Sequence, residues 1–290
     1  MHKQNCLVTG ATGYVGSNLI QRLFDMNFNV GILTRNKNGC PLKNKEIKMF
    51  EYNQDFMSVK FAIDSFKPTL IIHLAAFQSV ETNHQIDELI SANITFGSYL
   101  LDAIKDNKKV YFINIGTYWQ FTSTNCANTF YAATKTAFQS ILDYYTNYFN
   151  ISAYTLVLMD VYGPNDPRKK LIPLLLNAAR TNQSFNMTSG TQKKNFVYID
   201  DVIDSIIHAL SLLQNDQSNT HQMFYVSTSE LISIRSLVDK ITKILNKNLN
   251  ITYNKPKSLH EINTPIIKNR LPEWEPKFSL DQGLKKCCNE

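Results

Sequence analysis

Tyr131 and Lys135 stand four positions apart in the segment Tyr131-Ala132-Ala133-Thr134-Lys135, and together these two residue types can move a proton. The flanking pattern predicts a helix over Tyr131–Phe149, and this spacing places both side chains on one helix face. An ammonium stabilises a nearby phenolate, so we expect the pKa of Tyr131 to lie below its ordinary value of about 10. Such a tyrosine exchanges a proton with a carbonyl oxygen near neutral pH. An ordinary surface pair is the alternative, since a chain with 14 tyrosines contains this spacing by chance.

Thr117 follows the predicted strand Val110–Asn114, which immediately precedes the Tyr131 helix in the predicted order of elements. Open α/β sheets bind ligands at the carboxyl ends of their strands. We therefore expect the Thr117 hydroxyl to bond the oxygen that receives the proton. The alternative is a threonine that merely ends a strand.

A glycine turn, Gly10-Ala11-Thr12-Gly13-Tyr14-Val15-Gly16, joins a predicted strand over Cys6–Thr9 to a predicted helix over Val15–Met26. Strand, glycine turn and helix are the context of a dinucleotide-binding fingerprint, in which backbone N–H groups at the helix start face a pyrophosphate. The spacing is G-x-x-G-x-x-G rather than the commoner G-x-G-x-x-G. The predicted cofactor contacts in this turn are Gly10, Thr12, Gly13, Tyr14, Val15 and Gly16.

Arg35 lies just after the second predicted strand, Val30–Leu33. Sites that prefer NAD place an acid there for the ribose hydroxyls, whereas an arginine suits the 2′-phosphate of NADP. We therefore predict NADP(H) in preference to NAD(H). A loop arginine in solvent is the alternative.

Short apolar runs alternate with amphipathic stretches through the first half, which predicts an α/β fold with a parallel sheet covered on both faces. The predicted strands of this half are Cys6–Thr9, Val30–Leu33, Ile47–Tyr52, Leu70–Leu74, Val110–Asn114 and Ala153–Leu158. Its predicted helices are Val15–Met26, Met57–Phe66, Ile86–Asn107 and Tyr131–Phe149. After Pro164 shorter elements predict a smaller lobe, with helices over Leu171–Thr181, Val202–Leu213 and Ile234–Leu245 and strands over Phe196–Ile199, Met223–Val226 and Asn250–Tyr253.

The composition of the 290 residues is that of a globular protein, with a net charge of +6 spread along the chain. The longest basic run, Arg168-Lys169-Lys170, is interpreted as a solvated face, so no nucleic-acid partner is expected. No apolar run approaches the length of a membrane span, and the first strand follows too closely on Met1 to leave room for a signal peptide. Five cysteines without a C-x-x-C pair suggest neither disulfides nor a metal site, and we expect a cytoplasmic protein.

These residues together resemble the extended short-chain dehydrogenase/reductase family. The resemblance covers nearly the whole chain, and its further matches are Asp55, His73-Leu74-Ala75-Ala76, Asn93, Val161-Tyr162-Gly163-Pro164, the segment 195–201 and the segment 271–276. It implies a doubly wound Rossmann-type domain for NAD(P) over residues 1–160. It implies a nucleotide-diphosphate-sugar lobe over residues 161–290, with some segments returning to the Rossmann core. It adds cofactor contacts at Asp55, Leu74, Ala75, Ala76, Asn93 and Lys135.

Within this family, the segments 114–120 and 131–135 resemble sugar-nucleotide 4-ketoreductases of the CDP-abequose synthase type. This resemblance implies NADPH-dependent reduction of the C4 ketone of a CDP- or dTDP-linked deoxyhexose for O-antigen or polysaccharide synthesis. Thr117, Tyr131 and Lys135 would be the catalytic residues. Dehydratases of the family carry Asp-Glu after the catalytic threonine, where this chain has Tyr118 and Trp119. A 4-epimerase and a non-catalytic NADP(H)-sensing protein remain the alternatives.

The candidate substrate contacts are Trp119 and Gln120 at the sugar, and Lys194, Arg235 and Arg270 at the diphosphate. A packing role for Trp119 and ordinary surface charges for the three cations are the alternatives. Family patterns often have Asn where Asp160 stands, and Arg-Asp where Lys194 and Asn195 stand. The family also implies a homodimer formed by the helices over 86–107 and 131–149. The side chains named for its interface, or alternatively for the core, are Phe96, Tyr99, Leu100, Phe138, Ile141 and Tyr145.

Overall fold

A seven-stranded parallel sheet forms the centre of the computed structural model, in the order β11-β6-β5-β4-β1-β2-β3. The structure describes residues 3–38, 40–42, 45–79, 85–107, 109–121, 127–216, 218, 220–254, 263–265, 267 and 269–289. The strands are β1 (Asn5–Thr9), β2 (Asn29–Thr34), β3 (Lys48–Glu51), β4 (Leu70–His73), β5 (Val110–Thr117), β6 (Ile151–Leu158) and, after four short strands, β11 (His221–Val226). The predicted α/β fold with a parallel sheet is confirmed.

Helices cover both faces of this sheet, so its central strands are mostly buried, whereas the edge strands β3 and β11 are more exposed. They are α1 (Tyr14–Asp25), α2 (Phe56–Phe66), α3 (Ile86–Ile90), α4 (Phe96–Ile104), α5 (Phe130–Tyr148), α6 (Leu171–Thr181), α7 (Ile199–Asn215), α8 (Ile234–Leu245) and α9 (Leu280–Cys288). One core includes α1 and α7, and the other includes α2, α4 and α5. Within the described ranges, no helix combines the length and hydrophobicity that crossing a bilayer requires.

Small two-stranded sheets build the part of the molecule opposite the glycine turn. They pair β7 (Asp160–Tyr162) with β10 (Phe196–Tyr198), β9 (Lys193–Lys194) with β12 (Ile232–Ser233), and β8 (Phe185–Met187) with β13 (Ile251–Tyr253). β11 leaves this region and pairs with β6 in the main sheet. The sequence patterns did not predict α9.

Two elements differ from their predicted form in ways that matter for the site. The helix predicted over Ile86–Asn107 contains a π-helical stretch, Ser91–Thr95, between α3 and α4. β5 runs three residues beyond its predicted end because its last residues keep pairing with β6, as far as Thr117 opposite Leu158.

Three side chains offered for a dimer interface belong to the core. Phe96, Leu100 and Phe138 are at most 5% exposed, since they face the sheet between α4 and α5. The large apolar side chains that α5 does present to solvent are Tyr144 and Tyr148, which are 52% and 73% exposed.

Candidate active site

A cavity of about 480 Å³ opens at the carboxyl end of the sheet, between the glycine turn and the small sheets. Thr117, Trp119 and Tyr131 line it, together with Val15 from the start of α1. A second groove of about 360 Å³ runs along the other side of the same turn. Gly10, Gly13, Leu74 and Ala76 line both spaces, so groove and cavity meet at the turn.

Thr117 is fixed by the short 3₁₀ turn that follows it, Tyr118–Gln120. Its hydroxyl accepts from the N–H of Trp119 (3.4 Å), and its own N–H donates to Oε1 of Gln120 (2.9 Å). Gln120 was predicted to touch the sugar, but its side chain is 5% exposed and is not among the residues that line the cavity. The reciprocal capping arrangement makes Gln120 a residue that positions Thr117.

Tyr131 and Lys135 lie in the first turns of α5, which begins after the N-cap Thr129. Tyr131 reaches the cavity, and Lys135 is buried one turn further along. Burial raises the pKa of Tyr131 to about 12 and lowers the pKa of Lys135 to about 8. The expected lowering of the Tyr131 pKa is therefore wrong, because loss of solvation on burial sets the direction of its shift.

The glycine turn is shaped to take a phosphate group. Gly10 has φ +67°, and a Cβ there would lie 2.6 Å from the backbone N of Ala75, so only glycine fits against the end of β4. Gly13 is the exposed N-cap of α1, with φ −76° and no side chain over the first N–H groups of the helix. Such open N–H groups form an anion site, so this turn fits a dinucleotide pyrophosphate.

The groove beyond the turn holds most of the other predicted cofactor residues. Thr12, Arg35, Ala75 and Ala76 line it, and Arg35 is exposed there. Asp55 is not among its lining residues; its carboxylate caps α2 by accepting from the N–H of Ser58 (2.7 Å).

Tyr52 and Gln54, at the end of β3, line the part of the groove where Asp55 was expected. Asn93 lies in the π-helical stretch and is buried behind the groove wall. Its amide exchanges two hydrogen bonds with the backbone of Phe77 (2.8 and 2.9 Å) and donates to Thr134 (3.0 Å). Asn93 therefore holds the chain after β4 against α5.

Only one of the three cationic side chains predicted to bind the diphosphate lines the cavity. Lys194 lines the cavity, but Arg235 and Arg270 do not. Arg235 lies over the ring of Tyr253 (4.3 Å), and Arg270 donates to the carbonyl of Ser227 (2.8 Å).

Arg168 and Lys170 line the cavity instead, although their basic run was interpreted as a solvated face. Arg168 is paired with Asp166 through two hydrogen bonds (2.7 and 2.8 Å). Lys170 donates to the neutral Gln78 (2.8 Å), and burial lowers its pKa. The basic run 168–170 was the one feature of the sequence that could have indicated an anion-binding role for these residues. That the run lies at the cavity follows from the fold and not from the local sequence.

Sequence comparison assigns the family. Residues 6–223 match the model of the NAD dependent epimerase/dehydratase family, which is three quarters of the chain. The chain belongs to this family. Membership confirms the predicted class, an NAD(P)-dependent enzyme of the extended short-chain dehydrogenase/reductase type.

Curated members of the family resemble this chain over most of its length. It is 30% identical to CDP-abequose synthase of Yersinia pseudotuberculosis, over 84% of this chain and 86% of that protein. It is 25% identical to CDP-abequose synthase of Salmonella typhimurium, over 98% of this chain and 97% of that protein. The resemblance to the CDP-abequose synthase type, predicted from two short segments, is thereby confirmed.

Solved family members share the fold. UDP-glucose 4-epimerase of Thermotoga maritima, crystallised with UDP-glucose, has a TM-score of 0.84 at 20% identity and covers 99% of this chain and 98% of its own. UDP-glucuronic acid 4-epimerase of Bacillus cereus, in complex with UDP-glucuronic acid and NAD, has a TM-score of 0.81 at 22% identity, covering 99% and 98%.

Proposed function

We propose that this family member is an NADPH-dependent reductase of a nucleotide-activated 4-keto deoxyhexose, acting in the synthesis of O-antigen or another polysaccharide. The observation that carries the proposal is that Thr117 and Tyr131 line one cavity beside the glycine turn. The likeness to CDP-abequose synthases supports this substrate class. Tyr118 and Trp119 supply no carboxyl group after Thr117, which favours reduction over loss of water.

The cofactor fits the residues present: the glycine turn would hold its pyrophosphate, and Arg35 its 2′-phosphate. When bound, the nicotinamide supplies the hydride that reduces the C4 carbonyl. Tyr131 donates a proton to the carbonyl oxygen, and the Thr117 hydroxyl orients that oxygen by a hydrogen bond. A raised pKa suits this role, because it keeps the Tyr131 phenol protonated through neutral and mildly alkaline pH.

Lys135 stabilises the phenolate that forms as Tyr131 gives up its proton. Its pKa of about 8 predicts that turnover falls as pH rises through about 8, while Tyr131 with a pKa of about 12 keeps its proton. The pH profile of turnover measures this alkaline limb. Lys135→Arg should move the limb to higher pH, because a guanidinium keeps its charge. A limb at the same pH in both proteins would contradict the assignment.

Lys170 is proposed to bind the diphosphate of the substrate, since it is a half-buried cation whose hydrogen-bond acceptor is neutral. Lys170→Gln should raise KM for the sugar nucleotide by about 10- to 100-fold with little change in kcat, as expected for one charge-assisted hydrogen bond. The exposed neighbour Lys169 gives the matched control, Lys169→Gln. Equal KM values for the two variants would remove Lys170 from this role.

A 4-epimerase remains the second candidate, because solved members of closely similar fold are epimerases. It would use the same three residues but recycle its cofactor, and Arg35 favours NADP(H) over the NAD that recycling epimerases usually hold. Purified protein, NADPH and CDP- or dTDP-4-keto-6-deoxy sugars separate the candidates. We expect NADPH to be consumed in equal amount to the product, with NMR giving the configuration at C4.

Interconversion of C4 epimers without net loss of NADPH would instead identify an epimerase. Protein that binds NADPH but turns over neither substrate would support the non-catalytic NADP(H)-sensing alternative. Because each result has a separate readout, one preparation tests all three candidates.

A homodimer through α4 and α5 is part of the proposal. The exposed Tyr144 and Tyr148 form an apolar strip along α5 that a second copy would cover. Light scattering should give about twice the chain mass of 33.2 kDa. Elution as a single 33.2 kDa species would rule the dimer out.

A further inference from the structure

Three side chains that line the cavity form a bonded cluster: Tyr118, Asp160 and Lys194. The Tyr118 hydroxyl donates to Oδ2 of Asp160 (2.9 Å), and Nζ of Lys194 donates to the Tyr118 oxygen (2.7 Å). The ammonium lies 4.0 Å from the same carboxylate oxygen. Two of these residues, Asp160 and Lys194, are among the positions where the chain departs from the family pattern, and the structure brings them together.

The cluster carries no net charge. Asp160 contributes one negative charge and Lys194 one positive charge, and Tyr118 is neutral because burial and the neighbouring carboxylate hold its pKa well above its ordinary value. Tyr118 is 2% exposed, so its ring cannot swing away and release the other two. The Lys194 side chain is 14% exposed, and its hydrogen bond to Tyr118 holds the ammonium at the cavity wall.

A charge-compensated lysine is a poor partner for a diphosphate. The dianion would gain attraction from Lys194 but would meet repulsion from Asp160 at nearly the same place. Lys170, which lines the same cavity, donates to the neutral Gln78, and the charges of Asp160 and Asp166 act on its ammonium without any hydrogen bond or ion pair to either carboxylate among the described contacts. The two lysines therefore differ in their bonding, because Lys194 is held in a cluster with a carboxylate and Lys170 is held by a neutral amide. This difference suits them to different parts of a ligand.

A donor and an acceptor side by side match a hydroxyl group. The Lys194 ammonium has three N–H donors, of which Tyr118 takes one, and the Asp160 carboxylate has a second oxygen beyond the one bonded to Tyr118. A sugar hydroxyl can accept from the first group and donate to the second, and neither bond requires a net charge on the ligand.

We propose that Asp160 and Lys194, held by Tyr118, form a recognition site for a ring hydroxyl of the sugar, and that Lys170 rather than Lys194 binds the diphosphate. This inference rests on the proposed function, because it presupposes a nucleotide-sugar substrate. It makes Asp160 and Lys194 specificity residues and Tyr118 a positioning residue.

Calorimetric titration of whole protein with CDP and with a CDP-sugar, and with dTDP and a dTDP-sugar in parallel, tests the division. Lys170→Gln should weaken binding of the nucleoside diphosphate and of the sugar nucleotide by about tenfold or more. Lys194→Gln should weaken sugar-nucleotide binding by a similar factor, but it should weaken diphosphate binding only severalfold, because it leaves the Asp160 charge uncompensated without removing a diphosphate contact.

Asp160→Asn should change the affinities for the nucleoside diphosphate and for the sugar nucleotide in opposite directions. Removing the carboxylate charge should tighten binding of the nucleoside diphosphate severalfold while weakening binding of the sugar nucleotide. Tyr118→Phe, which keeps the buried ring and removes the hydroxyl that joins Asp160 and Lys194, should weaken binding of the sugar nucleotide only.

The outcomes separate this inference from the proposed function. Loss of diphosphate binding by about tenfold in Lys194→Gln, or weaker diphosphate binding in Asp160→Asn, would overturn the division of the two lysines. Wild-type protein that binds neither nucleoside diphosphate would overturn the proposed function itself. Melting temperatures of all variants, compared with wild type, identify any variant whose fold has been lost. If Lys194→Gln has lost its fold, Lys194→Met, which also removes the charge and the donors, replaces it in the same sugar-nucleotide test.

Discussion

Replacing Tyr131 with phenylalanine is expected to lower turnover by about 10²- to 10⁴-fold, the usual contribution of a positioned general acid. The substitution removes only the hydroxyl of a side chain that lines the cavity and is 9% exposed, so the cavity keeps its shape. Binding of NADPH should stay within about twofold of wild type, because the ring stays in place. The rate of NADPH oxidation with a 4-keto sugar nucleotide and a fluorescence titration with NADPH measure the two effects.

The same change at Tyr111, at the amino end of β5 and away from the cavity, provides the matched control and should leave turnover unchanged. Near-normal turnover in Tyr131→Phe would remove Tyr131 from its role and with it the proposed mechanism. Loss of turnover together with loss of NADPH binding would point to a damaged fold, which the melting temperature would reveal.

Replacing Gly10 with alanine should lower the free energy of unfolding by about 2 to 5 kcal/mol and abolish measurable cofactor binding. An alanine there must adopt a left-handed φ of +67°, and its Cβ would lie 2.6 Å from backbone atoms at the end of β4. The conformation costs about 1–2 kcal/mol and the forced contact about 1–3 kcal/mol. Denaturant unfolding and calorimetric titration with NADPH measure the two losses.

Gly13→Ala separates stability from binding. Gly13 has φ −76°, and a Cβ there would meet only the carbonyl oxygen of Gly10, at 3.2 Å. Its free energy of unfolding should change by less than about 1 kcal/mol, as is usual at exposed positions. Cofactor affinity should still fall, because the new methyl group is added at the N-cap, next to the first N–H groups of α1 that would bind the pyrophosphate. If Gly10→Ala were as stable as wild type, the close approach of the turn to β4 would be wrong.

The central sheet could be predicted because its strands are nearly continuous apolar runs between amphipathic helices. Such patterns are local, so they can be recognised without knowing the tertiary contacts. Gly10 and Thr117 could be located because each follows an apolar run of this kind. The small sheets were harder to predict, because β9 and β12 have only two residues each and form only by pairing with each other, about 40 residues apart in the sequence.

Lys170 shows why some site residues could not be predicted. Its position over the cavity is fixed by a hydrogen bond to Gln78, a residue 92 positions away. Local sequence carries no information about such a contact. The direction of the Tyr131 pKa was missed for a related reason, because the loss of solvation is a property of the packed fold.

Asp55 and Gln120 are different, since local signals for both were present. Asp55 stands directly before the helical pattern of α2, where an N-cap is expected. Thr117 and Gln120 are spaced as in a capping box. Capping chemistry explains both side chains better than ligand contact does.

Because β11 comes late in the chain but pairs with β6 in the main sheet, the amino-terminal half does not contain all the strands of that sheet. All eight residues of β6 are buried, and β11 covers their outer side. A fragment that stopped near residue 160 would leave this apolar strand as an open edge, which is a template for aggregation. The two halves therefore cannot be expressed or exchanged between relatives as separate modules, and a chimera has to carry residues 221–226 along with the amino-terminal half.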